Sequence, residues 1–266
     1  MVMREIGFEE RKKLQLDILA DVASFCERNH ITYFLSSGTL IGAIRHQGYI
    51  PWDDDIDIMI PRPDYERFAK EYCSEVYEFM DMNKDKDFPY VLGKVWDIRT
   101  QQKEERINYN LLGVNIDIFP LDGLSGNFFL QKLHLFIIGL LTNVRRYKRI
   151  VLKDVMTKWK KFCFVLFKFF LLVISYKLLA NAIYFFQKRY QWSSAVYVSS
   201  LASTTERLIG KKEWFEKPIQ STFEKYTFFI PNGYANWLTL VYGDYMKLPP
   251  EEKRLPHHVV KAYWRD

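Results

Sequence analysis

Four aspartates, Asp53, Asp54, Asp55 and Asp57, fall within five positions of the stretch GYIPWDDDIDIMIPRPDYERF, residues 48–68. Repulsion and desolvation both oppose so much like charge at one point. The charges are either solvated on a loop or gathered around a cation. Asp55 and Asp57 share one side of a segment whose other side is Ile56, Ile58 and Ile60, the alternation of a strand with one buried face. On such a strand their Cα atoms stand roughly 7 Å apart, so both carboxylates can reach one or two ions. VNIDIF, residues 114–119, repeats the pattern and sets Asp117 beside Asn115 and Phe119. If the two strands are neighbours, three carboxylates meet. An all-oxygen set suits Mg²⁺ or Mn²⁺ rather than zinc. Such an ion bridges phosphate oxygens and neutralises charge during phosphoryl transfer. The plain alternative is an acid-rich loop with Asp117 capping a turn.

A second feature lies just upstream. Ser36-Ser37-Gly38-Thr39 joins a strand over residues 31–38 to a short helix over 39–46. Gly38 lets backbone approach a ligand, and the helix start offers N–H groups and the positive dipole end to an anion. An ordinary N-cap made by Ser37 or Thr39 would look the same. Arg45, near the end of that helix, and Lys94, on an expected strand over 90–99, are candidate phosphate ligands. A surface arginine pairing with the acids and an edge-strand lysine are the alternatives. Trp52 could stack on a base or simply pack, and Asp53 beside it is a possible substrate contact. His257 and His258 close a polar tail that opens with Pro249-Pro250.

The elements that must position these residues follow from periodicity. Residues 9–29 read as an amphipathic helix with Leu16, Leu19, Ala20 and Ala23 on one face. A strand over 55–60 ends at Pro61, and Pro63 suits the first turn of a helix reaching about residue 76. Residues 84–87 and 101–106 read as solvated polar turns. The middle differs. FFLQKLHLFIIGLL (128–141) and FCFVLFKFFLLVIS (162–175) are the most apolar runs, with VRRYKRIVLKDVMTKWKK between them. Neither run reaches the ~20 residues needed to span a bilayer.

Charge is as uneven as hydropathy. The net charge is +6, yet residues 142–191 hold twelve Lys and Arg against one acid, Asp154, or +11. The rest of the chain therefore carries −5. Basic residues interleaved with long apolar runs suit amphipathic helices on an anionic membrane, or a buried hairpin with a solvated basic face, better than they suit nucleic acid. Three cysteines, without a CxxC, indicate neither a disulfide framework nor a zinc knuckle. The N-terminal residues show no apolar signal-peptide core. The expected location is cytoplasmic, peripheral on the inner face of the cell membrane.

FLSSGTLIGAIRHQGYIPWDDDIDIMIPRPDYERF (34–68), KVWDIRT (94–100), NIDIFPLDG (115–123) and YGDYMKLPPEEKRLPHH (242–258) together resemble the LicD family of phosphocholine transferases. Fukutin and fukutin-related protein are similar. The resemblance covers most of the chain outside the basic middle. It implies an α/β (α+β) fold with a nucleotidyltransferase-like mixed sheet flanked by helices and interrupted by a helical basic and apolar insertion. The corresponding division is a catalytic core over 1–127, the insertion over 128–191 and a C-terminal part over 192–266 completing the core. It further implies CDP-choline, or a similar CDP-alcohol, as donor and a lipid-linked glycan of teichoic acid or lipopolysaccharide type as acceptor. CDP-glycerol or CDP-ribitol are the alternative donors, and a catalytically silent membrane scaffold the alternative of another class. In that frame Asp55, Asp57 and Asp117 are the metal and catalytic carboxylates. Ser36, Ser37, Gly38, Thr39, Arg45 and Lys94 face phosphate, and the tail with His257 and His258 approaches the site.

Overall fold

The computed structural model describes residues 4–103, 112–149, 174–202, 209–254 and 261–265. After a two-residue strand β1 (Glu5–Ile6), helix α1 runs Phe8–Arg28. It carries Glu9 and Glu10 in its first turn and Arg28 in its last, each favourable to the helix dipole. Ile18, Leu19, Val22 and Cys26 form its fully buried stripe. The expected strand over 31–38 shrinks to β2 (Phe34–Leu35), and α2 (Ser37–Arg45) begins two residues earlier than its periodicity suggests. β3 (Asp57–Pro61) begins after Asp55, which belongs to the preceding loop. Pro61 and Pro63 then direct the chain into α3 (Arg62–Glu71). That helix stops short of residue 76, because Tyr72 turns extended at ψ 124°.

β4 (Tyr77–Met80) and β5 (Gly93–Asp97) flank the expected 84–87 turn. Residues 100–103 form a strand, β6, where a turn over 101–106 was expected; residues 104–106 lie outside the described residues. β7 (Asn115–Leu124) continues five residues past its expected end. The apolar run at 128 opens α4 (Phe128–Arg149), which packs against α5 (Tyr176–Gln187). Most of the second apolar run lies outside the described residues. β8 (Tyr197–Ser199), β9 (Ile209–Lys211), the hairpin β10 (Pro218–Phe223) and β11 (Tyr226–Pro231), α6 (Tyr234–Tyr242) and β12 (Lys261–Trp264) complete the chain.

The central sheet has the order β2-β3-β7-β5-β4. Only β3 and β7 are parallel; the remaining pairs are antiparallel. β7 is long enough to pair twice. Its first half lies between β3 and β5, and Asp122–Leu124 at its far end take on β8, which in turn pairs with β9. β6 pairs with β12, and β12 with β1, in a separate three-stranded sheet. That explains the misread turn: β6 is held by a partner some 160 residues away, and QQK lacks the apolar alternation that marks a strand. The main core is the α1–sheet–α3 interior, with Phe25, Phe68, Tyr72 and Phe79 in edge and stacked ring contacts. Under its far edge Arg62 and Asp122 form a buried two-pronged ion pair at 2.5 and 3.0 Å. It ties the start of α3 to the end of β7.

Candidate active site

Register decides what the aspartates can do. Asp57 of β3 stands opposite Asp117 of β7, and Asp117 stands opposite Lys94 of β5. Residues opposite one another in a sheet point to the same face. The loop before β3 is laced into this ladder, since the Asp117 N–H donates to the Ile56 carbonyl at 2.9 Å. From the other side, the β2–α2 turn grips Asp57. Its N–H donates to Thr39 Oγ1 at 2.9 Å, and its carbonyl accepts from Ser36 N–H at 2.9 Å. Thr39 and Ser36 therefore hold strand position with the atoms nearest them.

Ser37 sits at φ +48°, in the left-handed region. A non-glycine residue is held there at a cost of about 1 kcal/mol or more. Its hydroxyl acts on both the Asp57 carboxyl and the Tyr242 hydroxyl, which brings the end of α6 to this turn. At the next position a Cβ on Gly38 would lie 2.4 Å from Asp53 Oδ2, so a side chain there would displace that carboxylate. The glycine thus serves close approach between turn and acid loop.

The acids fall into two groups. Asp54 is buried and paired with Arg11 at 3.1 Å, while Gln15 bonds the backbone carbonyls of Asp54 and Asn115. That pair anchors the loop to α1. Asp53, Asp55 and Asp57 instead face one another. Burial, then Asp55, Asp117 and Asp53, hold the Asp57 carboxyl well above the usual carboxylate range. Burial, then repulsion from and a hydrogen bond to Asp55, push Asp53 up to about 7. Oxygens of Asp53, Asp54 and Asp55 lie within 4.8 Å of one another. With Asp54 engaged by Arg11, Asp53 and Asp55 are the close pair left for a hard divalent cation; Asp57, expected to join Asp55 and Asp117 in one ligand set, lines the same cleft but is not part of that close trio, and nor is Asp117. A cation among them would remove the repulsion that raises Asp57 and Asp53.

Asp117 has a cationic partner of its own. Lys94 Nζ donates to Asp117 Oδ1 at 2.5 Å and to Asn115 Oδ1 at 3.0 Å, and lies 4.6 Å from the Tyr90 ring centre. The Lys94 ammonium is thus directed at the third carboxylate.

A cleft of about 650 Å³ opens over the carboxylates. Gly38, Asp53, Asp55 and Asp57 line one side, and the segment from Tyr242 to Pro250 lines the other. Arg45 and Trp52 also line it, in joining roles. Arg45 donates to the carbonyls of Tyr245 at 2.7 Å and Lys247 at 3.4 Å, which holds that segment against α2. Trp52 has the Arg254 guanidinium 5.5 Å from its ring centre and His46 at its edge. Tyr242 is 46% exposed overall, yet its hydroxyl sits among the acids. Burial, then Asp57, raise it to about 12. Tyr242, Asp244, Tyr245 and Lys247 had no assigned role in the sequence reading. Their segment was visible there only as part of the family resemblance, because nothing in its spacing points at residues 53–57. His257 and His258 lie outside the described residues.

A mixed sheet that brings acids from two parallel strands to a serine–glycine turn is the framework of a phosphotransferase built on a nucleotidyltransferase domain. The comparisons agree. Residues 30–134 match the family model described as LicD/FKTN/FKRP, nucleotidyltransferase domain. The chain is 34% identical to the lipopolysaccharide cholinephosphotransferase LicD of Haemophilus influenzae over 98% of its own length and 99% of that protein's. An uncharacterized protein of Rickettsia typhi is 47% identical over 69 residues, 26% of this chain and 22% of that one. The chain belongs to the LicD family.

Proposed function

We propose that this enzyme transfers phosphocholine from CDP-choline to a sugar hydroxyl of a lipid-linked glycan of lipopolysaccharide type, releasing CMP. The near full-length similarity to a lipopolysaccharide cholinephosphotransferase supports the transferred group and the acceptor. The observation that carries the chemistry is the in-register pair Asp57 and Asp117, whose Asp57 lines the cleft. A lipid-linked acceptor puts the reaction at the inner face of the cell membrane.

Asp53, Asp55 and Asp57 would hold Mg²⁺ or Mn²⁺. Such an ion supplies neutralisation of the donor diphosphate and of the departing CMP. The chain's own groups do the rest. The positive end of α2 and the Ser37 hydroxyl face the same anionic region. Asp117 is partly open where Asp57 is buried, and its Lys94 contact fixes its direction. It orients the acceptor hydroxyl and accepts its proton as the new phosphodiester forms at the phosphorus bearing choline. Attack at that phosphorus leaves CMP; attack at the other would transfer the cytidylyl group.

The test is a donor screen with the purified protein, Mg²⁺, and CDP-choline, CDP-glycerol or CDP-ribitol, with and without lipopolysaccharide acceptor. CMP release from CDP-choline that depends on acceptor is the expected result. Release from CDP-glycerol or CDP-ribitol alone would change the donor. Dependence on a teichoic acid precursor would change the acceptor. Absence of turnover with any donor would leave a scaffold role.

A further inference from the structure

Helix α4 has two apolar faces where a surface helix needs one. Gln131, Leu135, Ile138 and Arg145 point inward, where Leu135 and Ile138 pack with Leu124 and Leu201. On a different stripe, Phe129, Leu133, Phe136 and Leu140 recur at intervals of four, three and four residues and are exposed. Phe128, Phe129 and Phe136 are 64%, 71% and 68% exposed. α5, packed on α4, is also exposed at Leu178 and Phe185. Water disfavours so contiguous an apolar surface, which marks a docking face.

Charge selects the occupant. α4 contains five Lys and Arg and no acid, and α5 contains Lys177 and no acid. Lys132 Nζ lies 4.5 Å from the ring centre of exposed Phe128, so base and aromatic share one surface. Arg146, Lys177 and Arg189 are exposed. Among the described residues no helix is long and apolar enough to cross a membrane. Basic residues around a half-immersed apolar stripe are the features of a helix lying in the interface of an anionic bilayer. A protein partner would need acids to answer the same charge.

We propose that the outer face of α4, centred on Phe129 and Phe136, docks the enzyme on an anionic lipid surface. The stripe begins twelve residues after Asp117, no more than about 43 Å along even a fully extended chain. A site bound this way meets an acceptor whose lipid end is in the same membrane. Docking is measured without donor or acceptor, so it stands or falls separately from the reaction proposed above.

The experiment is vesicle flotation of the full chain at low and high salt, with phosphatidylcholine alone or mixed with phosphatidylglycerol. Wild type should float only with phosphatidylglycerol and less at high salt. The variant Phe129→Ser/Phe136→Ser should lose binding by about tenfold or more, since immersed apolar area supplies the remainder of the attraction. Its melting curve should match wild type, because both side chains are exposed. Wild type left in solution at low salt overturns the proposal. A variant that floats equally well also overturns it. So does a wild-type dimer that the variant converts to monomer, since a second copy then occupies the stripe. If the variant loses its fold, the phosphatidylglycerol and salt dependence of wild type decide the question alone.

Discussion

Asp57 concentrates the conflict between stability and chemistry. It is buried, and three other carboxylates act on it. Asp57→Asn should lower turnover by about a thousandfold if, as proposed, it ligates a cation where charge develops. In EDTA the same variant should be more stable than wild type, because it removes a buried carboxyl that burial and neighbouring carboxylates disfavour in its charged form. Urea unfolding measures the second effect, and equal or lower stability would contradict it. Asp53 sets a pH dependence. Its folded-state pKa, about 7, lies above the 3.8 of a free carboxylate. The stability it contributes is therefore complete below the free value and lost as pH rises through about 7. Metal-free protein should melt lower at about pH 8 than at about pH 5, and Mg²⁺ should restore the midpoint mainly at the higher pH. A melting point that is flat with pH, and equally raised by Mg²⁺ at both values, would refute it. These acids were legible in the sequence because charge beside isoleucine at a two-residue period has few local explanations. The Asp54–Arg11 pair was not, since 43 residues separate its members.

At the scale of elements, the site depends on α2 being pressed against the loop that follows it. Gly42 makes that contact: a Cβ there would lie 2.4 Å from the Gly48 carbonyl oxygen and 3.3 Å from the Phe223 ring. Backbone cannot retreat as a flexible side chain can. Gly42→Ala should cost about 2 kcal/mol in urea unfolding and also reduce turnover, because α2 carries Thr39 and Arg45. Gly126→Ala, where no atom lies within 4 Å of the added carbon, should change neither. Equal stability of the two variants would remove the clamp from the account. The helices α1, α2 and α3 were visible from their apolar stripes and proline positions. β6 and β8 were not, because short strands held by remote partners need little periodicity of their own.

Across the whole molecule, α4 and α5 join small apolar clusters with Leu124, Leu201 and Met82, beside the main core. Arg145 fastens the pair. Its guanidinium is buried and donates to the carbonyls of Lys86 at 2.9 Å, Phe88 at 2.5 Å and Tyr176 at 3.1 Å. Arg145→Met keeps the bulk and removes the donors, leaving three carbonyls without them. The expected loss is about 3 kcal/mol, together with faster amide exchange in α4 and α5 while the central sheet keeps its protection. Exchange that quickens evenly through the protein would show instead that the helical pair and the sheet unfold as one.

The sequence by itself determined which residues are chemically unusual and which face of each segment they share. Alternation around Asp57 and Asp117, the serine–glycine turn and the apolar helix at 128 are all local patterns, and periodicity is a local property. Tertiary structure decided the partners. It set Asp57 and Asp117 in register, gave Lys94 to Asp117 and Arg11 to Asp54, and brought Tyr242 to Ser37 across two hundred residues. Pairing between distant segments depends on how the entire core closes and which register buries the most apolar surface, and no window of neighbouring residues contains that information.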